Sequence, residues 1–480
     1  MNLLSNRIPL PLVTIAGLTL LVAGFSSFGE ESSERPNIVV IMVDDMGFAD
    51  MGANGSTDIL TPNLDRFART GINFQSGYVT HSFCGPSRAG FFSGRYQQRF
   101  GHEMNPAMDV YNQNLGLDPN EKTFVKRLQE AGYYTGGIGK WHLGGSSEHY
   151  PLHRGFDYYY GFLEGGHDYF EIDLSTREGY KNALIRNDMP AIFEGYLTDA
   201  LSEDAVEFIN RNANTDVPFF LYVGYNAPHG PLQATKEDLA KHAHIEDSQR
   251  RIYAAMVYSM DRGVGQILDA LEDNGIRENT LVVFFSDNGG PQPVSWSEWF
   301  DNGSDNGPLR GGKSDVYEGG ERVVMMASWP GTLREDVTYY RPVISLDWAR
   351  TAVDLAGADA ELGMGMEGVD LIPFLTGEKN GDPHQALFWR QWNGREWAVR
   401  SGDMKLVGSF DDPSRMELFD LASDIGEEEN LAQTRPETVE RLRKLYNQWN
   451  ADNIPSTFPN TPEYLKLRDA FHIESTGGSK

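Results

Sequence analysis

A continuous apolar run near the start of the chain, Asn37 to Val43 (NIVVIMV), limits the architectures open to it. Apolar runs that lack polar alternation and are rich in β-branched residues are typical of parallel strands covered by helices on both faces. A second run of this kind, Leu281 to Ser286 (LVVFFS), occurs much later in the chain. The two runs therefore predict an α/β protein built on a central sheet.

Polar side chains follow both predicted strands. Asp44 and Asp45 come directly after the first, and Asp287 and Asn288 after the second. Ligands of open α/β sheets bind at the carboxyl ends of the strands, although adjacent acidic residues there are also common in turns and helix caps. Oxygen ligands without histidine or cysteine suit a hard cation, Ca²⁺ first and Mg²⁺ as the alternative, rather than zinc.

The chain has a single cysteine, Cys84, at the start of the stretch CGPSRAGFFSGR. It cannot form an intramolecular disulfide, and a lone cysteine is usually a small buried hydrophobe. Pro86 and the small residues around it predict a turn that enters a helix. Residue 84 would then lie at the positive end of that helix, where free N–H groups favour a tetrahedral anion.

The same stretch carries a family signature. Cys84-x-Pro-Ser-Arg followed by Gly94-Arg95 is the maturation motif of sulfatases, and the sequence resembles a type I sulfatase. Further blocks match in family order: GKWHLG at 139–144, YNAPHGP at 225–231 and the glycine-rich segment 310–320. The resemblance runs from Pro36 to about Asn450. It implies an alkaline-phosphatase-like fold, in which helices flank a central mixed sheet and a smaller α+β subdomain follows, and it implies hydrolysis of sulfate esters.

The resemblance also implies the site. A formylglycine-generating maturation enzyme would oxidise Cys84 to Cα-formylglycine, which is the nucleophile of this family. The positions that match the catalytic motif are Cys84, Arg88, Lys140, His142, His229 and Lys313. The positions that match the calcium site are Asp44, Asp45, Cys84, Asp287 and Asn288. We predict His229 as the general acid for the leaving alcohol, and His142 as the base.

The N-terminus and the charge bear on location and partners. The uncharged segment 8–29 predicts a signal peptide over residues 1–28, with a membrane anchor as the alternative because the segment is long enough to cross a bilayer. We therefore expect an exported protein, periplasmic or secreted. A net charge of −28 argues against a nucleic-acid partner. We expect a catalytic domain over 36–377 and a C-terminal subdomain over 384–465.

We expect a sulfated carbohydrate as substrate, because an exported enzyme with aromatic-rich loops would meet extracellular polymers. A carrageenan-type marine galactan comes first and animal glycosaminoglycans second. The alternatives are a formylglycine-dependent phosphodiesterase or phosphonate monoester hydrolase, and a sulfated-glycan binding protein without turnover. The irregular segment Ser146 to Pro190 is expected to form substrate-facing loops, and the acidic run Glu427 to Glu429 a solvated loop.

Overall fold

The computed structural model describes residues 35–106, 112–176, 179–292, 302–361, 363–412 and 414–457. The predicted signal peptide and the last residues of the predicted C-terminal subdomain lie outside these ranges. Among the described residues, no helix has both the length and the apolar character that crossing a membrane requires.

A mixed sheet forms the centre of the structure. The strands of the larger part of the chain are β1 (Asn37–Val43), β2 (Ile72–Phe74), β3 (Gly77–Tyr78), β4 (Tyr134–Lys140), β5 (Tyr158–Phe162), β6 (Leu184–Arg186), β7 (Met189–Ala191), β8 (Phe219–Gly224), β9 (Thr280–Ser286), β10 (Met325–Ser328), β11 (Val337–Tyr339) and β12 (Val343–Ile344). The main sheet has the order β11-β2-β10-β9-β1-β8-β4-β5-β6-β7, while β3 and β12 form a separate pair. Strands β9, β1, β8, β4 and β5 are parallel, and β10, β6 and β7 are antiparallel to a neighbour.

Helices cover both faces of this sheet. The helices of the described residues are α1 (Pro62–Arg69), α2 (Cys84–Ser93), α3 (Phe124–Glu130), α4 (Leu197–Asn212), α5 (Lys236–Lys241), α6 (Ser248–Asp273), α7 (Glu318–Glu321), α8 (Ser345–Leu355), α9 (Ile372–Leu375) and α10 (Pro436–Asn450). Every residue of β1 is buried, because alternate side chains enter different cores. Val39 and Ile41 pack on the face covered by α1, α4 and α6, and Val40 and Met42 on the face covered by α2, α3 and α8. The predicted sheet with helices on both faces is confirmed.

A smaller antiparallel sheet follows, with strands β13 (Leu387–Gln391), β14 (Glu396–Ser401), β15 (Met404–Gly408) and β16 (Met416–Asp420). Helix α10 covers it, and the rings of Tyr446 and Trp397 stack with centroids 4.1 Å apart. The predicted C-terminal α+β arrangement is confirmed, whereas the boundaries 36–377 and 384–465 stay a prediction.

The local predictions were wrong in some places. The segment Ser146 to Pro190 is not wholly irregular, since β5 and β6 lie in it and extend the main sheet. Glu427 is fully buried rather than solvated, and its carboxylate contacts the buried Lys405 ammonium at 3.1 Å.

Candidate active site

The carboxyl ends of four parallel strands bring the predicted site residues to one edge of the sheet. Strand β1 lies between β8 and β9, and β4 lies beside β8. The pair Asp44-Asp45 therefore leaves β1 next to Asp287-Asn288, which leaves β9. Lys140 is the last residue of β4, and the loop with His229 follows β8. The structure thus gathers residues that are widely separated in the sequence.

Cys84 is the first residue of α2, as the turn-into-helix prediction requires. Its side chain is buried. Burial raises the pKa of the thiol, and the Lys140 and Lys313 ammonium groups act on it in the opposite direction. Asn105, which the sequence did not single out, accepts a hydrogen bond from the Gly85 N–H at 2.8 Å and places its amide nitrogen 3.9 Å from the Cys84 sulfur. Residue 84 is therefore held at a helix N-terminus among positive charges.

Each cation predicted for the site is paired with a buried carboxylate. The Lys140 ammonium contacts Asp44. The Lys313 ammonium donates to both oxygens of Asp45, at 2.6 and 2.8 Å. Arg88 places its Nε and a terminal nitrogen each 2.8 Å from Asp287 Oδ2. Removal of one partner would leave the other as an uncompensated buried charge, so these pairs fix one another in place.

Burial and the neighbouring charges shift the pKa values of the three aspartates in different directions. Burial raises the pKa of Asp287 to about 6, with Asp44 adding to the effect and Arg88 opposing it. Burial also raises the pKa of Asp44 against the attraction of Lys140. Burial alone would raise the pKa of Asp45 too, but Lys313 and His229 outweigh it and lower that pKa to about 2. Burial therefore disfavours the charged forms of Asp44 and Asp287, and a bound cation would offset that penalty.

The residues present fit a hard divalent cation. Oxygen atoms of Asp44, Asp45 and Asp287 lie within 4.8 Å of one another. Within the described chain, Asp44 Oδ1, Asp287 Oδ1 and Asn288 Oδ1 are buried without a hydrogen-bond partner. The Asn288 amide nitrogen donates to Asp45 at 2.7 Å and so fixes the orientation of the side chain. Buried oxygens of this kind are the ligands that Ca²⁺ and Mg²⁺ prefer.

Both predicted histidines lie at the same edge. His229 Nδ1 is 2.6 Å from the Gly230 carbonyl oxygen, and its Nε2 is 3.7 Å from Asp45 Oδ2. His142 is buried with a left-handed backbone conformation (φ 61°), and in the described structure its Nδ1 has no hydrogen-bond partner. Burial lowers the pKa of His229 to about 3 and that of His142 well below its usual value.

Sequence reasoning missed two residues that position this site. The Tyr222 hydroxyl accepts a hydrogen bond from Arg88 at 2.6 Å and donates to the Lys140 carbonyl at 3.2 Å. The Ser286 hydroxyl accepts from the Met46 N–H at 3.1 Å and donates to the Asn288 carbonyl at 2.8 Å. Ser286 ends an apolar run next to a predicted ligand, which is a weak signal. Tyr222 lies inside an apolar strand, and nothing in the sequence around it indicates a role in the site.

The glycines around Lys313 allow its loop to approach the cation site. The Lys313 N–H donates to the Gly290 carbonyl at 3.1 Å. A methyl group on Gly289 would lie 1.7 Å from the Gly319 carbonyl oxygen, so only glycine fits there. The prediction that Lys313 reaches the site from a glycine-rich loop agrees with this geometry.

Comparisons with known proteins show the family of this chain. The Sulfatase family profile matches residues 36–358, and the profile described as N-sulphoglucosamine sulphohydrolase, C-terminal, matches residues 312–452. The chain is 34% identical to Arylsulfatase G of Rattus norvegicus over 78% of this chain and 75% of that protein. It is 29% identical to the uncharacterized sulfatase YdeN of Escherichia coli (strain K12) over 91% of this chain and 89% of that protein.

A solved structure is also similar over nearly the whole chain. The crystal structure of Ps i-CgsB in complex with k-i-k-neocarrahexaose superposes with a TM-score of 0.83 and 36% identity, covering 92% of this chain and 98% of that one. The alkaline-phosphatase-like fold expected from the motifs is thereby confirmed. Family profile, relatives and solved structure lead to one conclusion: the chain belongs to the sulfatase family and is a sulfuric ester hydrolase.

Proposed function

We propose that this sulfatase removes sulfate from a sulfated carbohydrate, with a carrageenan-type galactan as the first candidate, and that it uses an oxidised Cys84. The substrate class is supported by the similarity to Ps i-CgsB, which was solved with a bound neocarrahexaose. The use of residue 84 is supported by its position as the first residue of α2, within electrostatic reach of Lys140 and Lys313.

The positive groups of the site suit a sulfate group in front of residue 84. Lys140 and Lys313 are buried, and each is held by a carboxylate, so neither needs to reorganise when charge develops on sulfate oxygens. The N-terminus of α2 adds the partial positive charge of the helix dipole at residue 84. Hydrogen bonds to Asp287 and Tyr222 fix the guanidinium of Arg88, and Arg88 in this position supports the two lysines.

The two groups implied by the family would act within this setting. Asp44, Asp45, Asp287 and Asn288 would hold Ca²⁺, which supplies Lewis-acid neutralisation of negative charge on oxygen. A formylglycine at position 84 supplies, as its hydrate, two hydroxyls on one carbon, one to attack sulfur and one to release the product without external water. The buried, unpartnered oxygens of Asp44, Asp287 and Asn288 within the described chain support the first assignment.

The histidines are suited to the proton transfers. The contact of His229 Nδ1 with the Gly230 carbonyl fixes the ring, and it leaves Nε2 on the side of Asp45 and residue 84. We assign His229 as the general acid for the leaving alcohol oxygen. Because the Gly230 carbonyl accepts from Nδ1–H, Nε2 can donate only from the imidazolium form, which the negative charge of a bound sulfate ester would favour. We assign His142 as the base for the proton at residue 84. The enzyme would act after export, in the periplasm or outside the cell, once residues 1–28 have been removed.

Release of sulfate and of the phosphonate product, measured by ion chromatography, tests this proposal. The substrates are κ- and ι-carrageenan oligosaccharides, chondroitin sulfate disaccharides and a phosphonate monoester. Protein coexpressed with a formylglycine-generating enzyme is compared with Cys84→Ser, and mass spectrometry of the peptide that contains residue 84 records its oxidation. Sulfate release from a carbohydrate that disappears in the variant supports the proposal. Phosphonate hydrolysis alone, or sulfate release that is unchanged in Cys84→Ser, would contradict it.

A further inference from the structure

The wall of the site that faces His142 and His229 is built on adjacent glycines, Gly165 and Gly166. A methyl group on Gly165 would lie 2.8 Å from His142 Nε2. A methyl group on Gly166 would lie 3.0 Å from Tyr180 Cζ and 3.3 Å from His229 Nδ1. The Tyr180 phenol and the His229 imidazole therefore flank the same backbone atom, so Tyr180 lies beside the residue proposed to protonate the leaving alcohol.

The Tyr180 side chain is half-buried, and within the described structure its hydroxyl has no hydrogen-bond partner. Neighbouring tyrosines use their hydroxyls inside the protein: Tyr169 donates to the His229 carbonyl at 2.8 Å, and Tyr222 contacts Arg88. Burial raises the pKa of Tyr180, while Lys140 and Lys313 act on it in the opposite direction. Its ring thus lies within electrostatic reach of the cations around residue 84, and its phenol stays protonated and able to donate.

Hydrogen bonds connect the backbone at Tyr180 to residues near the His229 loop. The Tyr180 carbonyl accepts from the Asp168 N–H at 2.6 Å, and the Lys181 ammonium pairs with Glu171. The Asp168 carboxylate accepts from the Gln233 amide at 3.0 Å, which ties this segment to the residues after His229. These contacts anchor the backbone at Tyr180, which lowers the entropic cost of presenting its side chain to a ligand.

We propose that Tyr180 contacts the alcohol part of the sulfate ester and helps to determine which sulfated sugar the enzyme accepts. The inference rests on the proposed function, because it takes the leaving alcohol to be a sugar. The charged groups of the site, which suit sulfate oxygens, lie at the sheet edge. Tyr180 offers instead an apolar ring and a neutral hydroxyl, which suit the carbon face and the hydroxyl groups of a pyranose.

The test compares Tyr180→Phe and Tyr180→Ala with Tyr134→Phe. Tyr134 is a matched control because it begins β4 at the end opposite Lys140. The readouts are KM and kcat for the best carrageenan oligosaccharide, the inhibition constant of inorganic sulfate, and the Kd of the same oligosaccharide for each variant combined with Cys84→Ala. The Kd reports binding without turnover.

We expect Tyr180→Phe to raise KM and Kd for the oligosaccharide about fivefold, the loss of one neutral hydrogen bond. Tyr180→Ala should raise them about 10- to 100-fold, because packing against the ring is lost as well. Sulfate has no alcohol part for Tyr180 to contact. Its inhibition constant should therefore change less than about twofold, which corresponds to a small change in binding free energy. Tyr134→Phe should behave as the parent protein.

If KM and Kd are unchanged in both Tyr180 variants, the inference is wrong. In that case sulfate release by the parent enzyme would still support the proposed function. Equal weakening of sulfate and oligosaccharide binding would also overturn the inference, since Tyr180 would then act on the sulfate or on the fold. If the parent releases no sulfate from carbohydrates, the proposed function fails. If the oligosaccharide still binds and its Kd depends on Tyr180, the inference about Tyr180 is supported although the proposed function has failed. If the oligosaccharide does not bind, the inference and the proposed function are both wrong.

Discussion

The Lys405 ammonium of the C-terminal sheet lies 2.8 Å from the Glu318 carboxylate of α7, and both side chains are fully buried. Glu427 joins the pair, because its carboxylate also contacts Lys405 and accepts from the Glu318 N–H at 2.7 Å. The Glu427 carbonyl accepts from Arg310, which begins the glycine-rich segment that carries Lys313. The C-terminal sheet therefore holds the segment that delivers a cation to the active site.

Lys405→Met should destabilise the protein strongly. The substitution removes the ammonium and leaves the Glu318 and Glu427 carboxylates buried near each other, which we expect to lower the free energy of unfolding by about 3–5 kcal/mol. Urea unfolding followed by circular dichroism measures the effect. Lys444→Met, at an exposed position of α10, is the matched control. Its free energy of unfolding should be within about 0.5 kcal/mol of that of the parent protein. Equal stability of the two variants would show that the buried pair contributes nothing.

Calcium should raise the melting temperature through the oxygen cluster. Ligand at about 100 times its Kd stabilises a folded protein by about 2.7 kcal/mol. Calorimetry in calcium and in EGTA measures the shift in Tm. Asn288→Ala, which removes a buried oxygen without a partner in the described chain, should reduce the shift, whereas Asn120→Ala in an exposed turn should retain it. A full shift in Asn288→Ala would place the cation elsewhere.

Sequence patterns predicted those parts of the site that lie next to a strand end or inside a motif. The all-apolar β1 run placed Asp44 and Asp45 at the ligand edge, and motif blocks identified Lys140 and His229. Tyr222 could not be found in this way, because its contact with Arg88 joins residues 134 positions apart and its strand is otherwise apolar. Glu427 lies in an acidic run that looks solvated, and only the packing of the C-terminal sheet buries it.

The same holds for the fold: elements with a sequence pattern of their own could be predicted, and elements that depend on pairing with distant strands could not. The long buried strands β1 and β9 were predicted within one residue of their ends, since an apolar run extends over each whole element. Strands β6 and β7 have only three residues each, which is too short for a periodic pattern. Strand β5 reads YYYGF and lacks β-branched residues, so its pairing with β4 depends on the sheet edge that β4 offers.

The pairing of His384 with Asp347 should make stability depend on pH. His384 Nε2 lies 2.8 Å from Asp347 Oδ1. Burial alone would lower the pKa of His384, but Asp347 outweighs it and raises that pKa above the usual 6.5. Because the folded-state pKa is the higher one, the contribution to stability is complete below pH 6.5 and is lost as pH rises through the raised pKa.

We therefore expect the parent to lose stability relative to His384→Asn as pH rises from just below 6.5 towards alkaline values. Urea unfolding at several pH values measures the difference. His153→Asn, at an exposed position, should follow the parent curve. A constant difference between parent and His384→Asn over this range would mean that the imidazole is not charged in the folded protein.

Gly165→Ala should reduce turnover by displacing His142. The added methyl group would lie 2.8 Å from His142 Nε2 and 2.9 Å from Cε1, closer than side-chain atoms approach. Since a displacement of about 1 Å in a catalytic group costs about 100-fold in rate, we expect kcat to fall about 10- to 100-fold. Gly426→Ala, whose methyl group would meet its nearest atom at 3.4 Å, should leave kcat unchanged. Steady-state sulfate release measures both, and equal rates would show that His142 has room to move.

Tyr222→Phe should weaken the support of Arg88 and Lys140. The Tyr222 hydroxyl accepts from Arg88 at 2.6 Å and donates to the Lys140 carbonyl at 3.2 Å. Its removal leaves the buried Arg88 nitrogen with only the Lys140 carbonyl, which we expect to cost about 1–3 kcal/mol of unfolding free energy. The freed movement of Arg88 and Lys140 should also lower kcat/KM about tenfold, because preorganised charge is lost. Tyr134→Phe, at the opposite end of β4, is the control for both measurements. A variant that loses stability but keeps its kcat/KM would show that Tyr222 supports the fold and not the orientation of the catalytic cations.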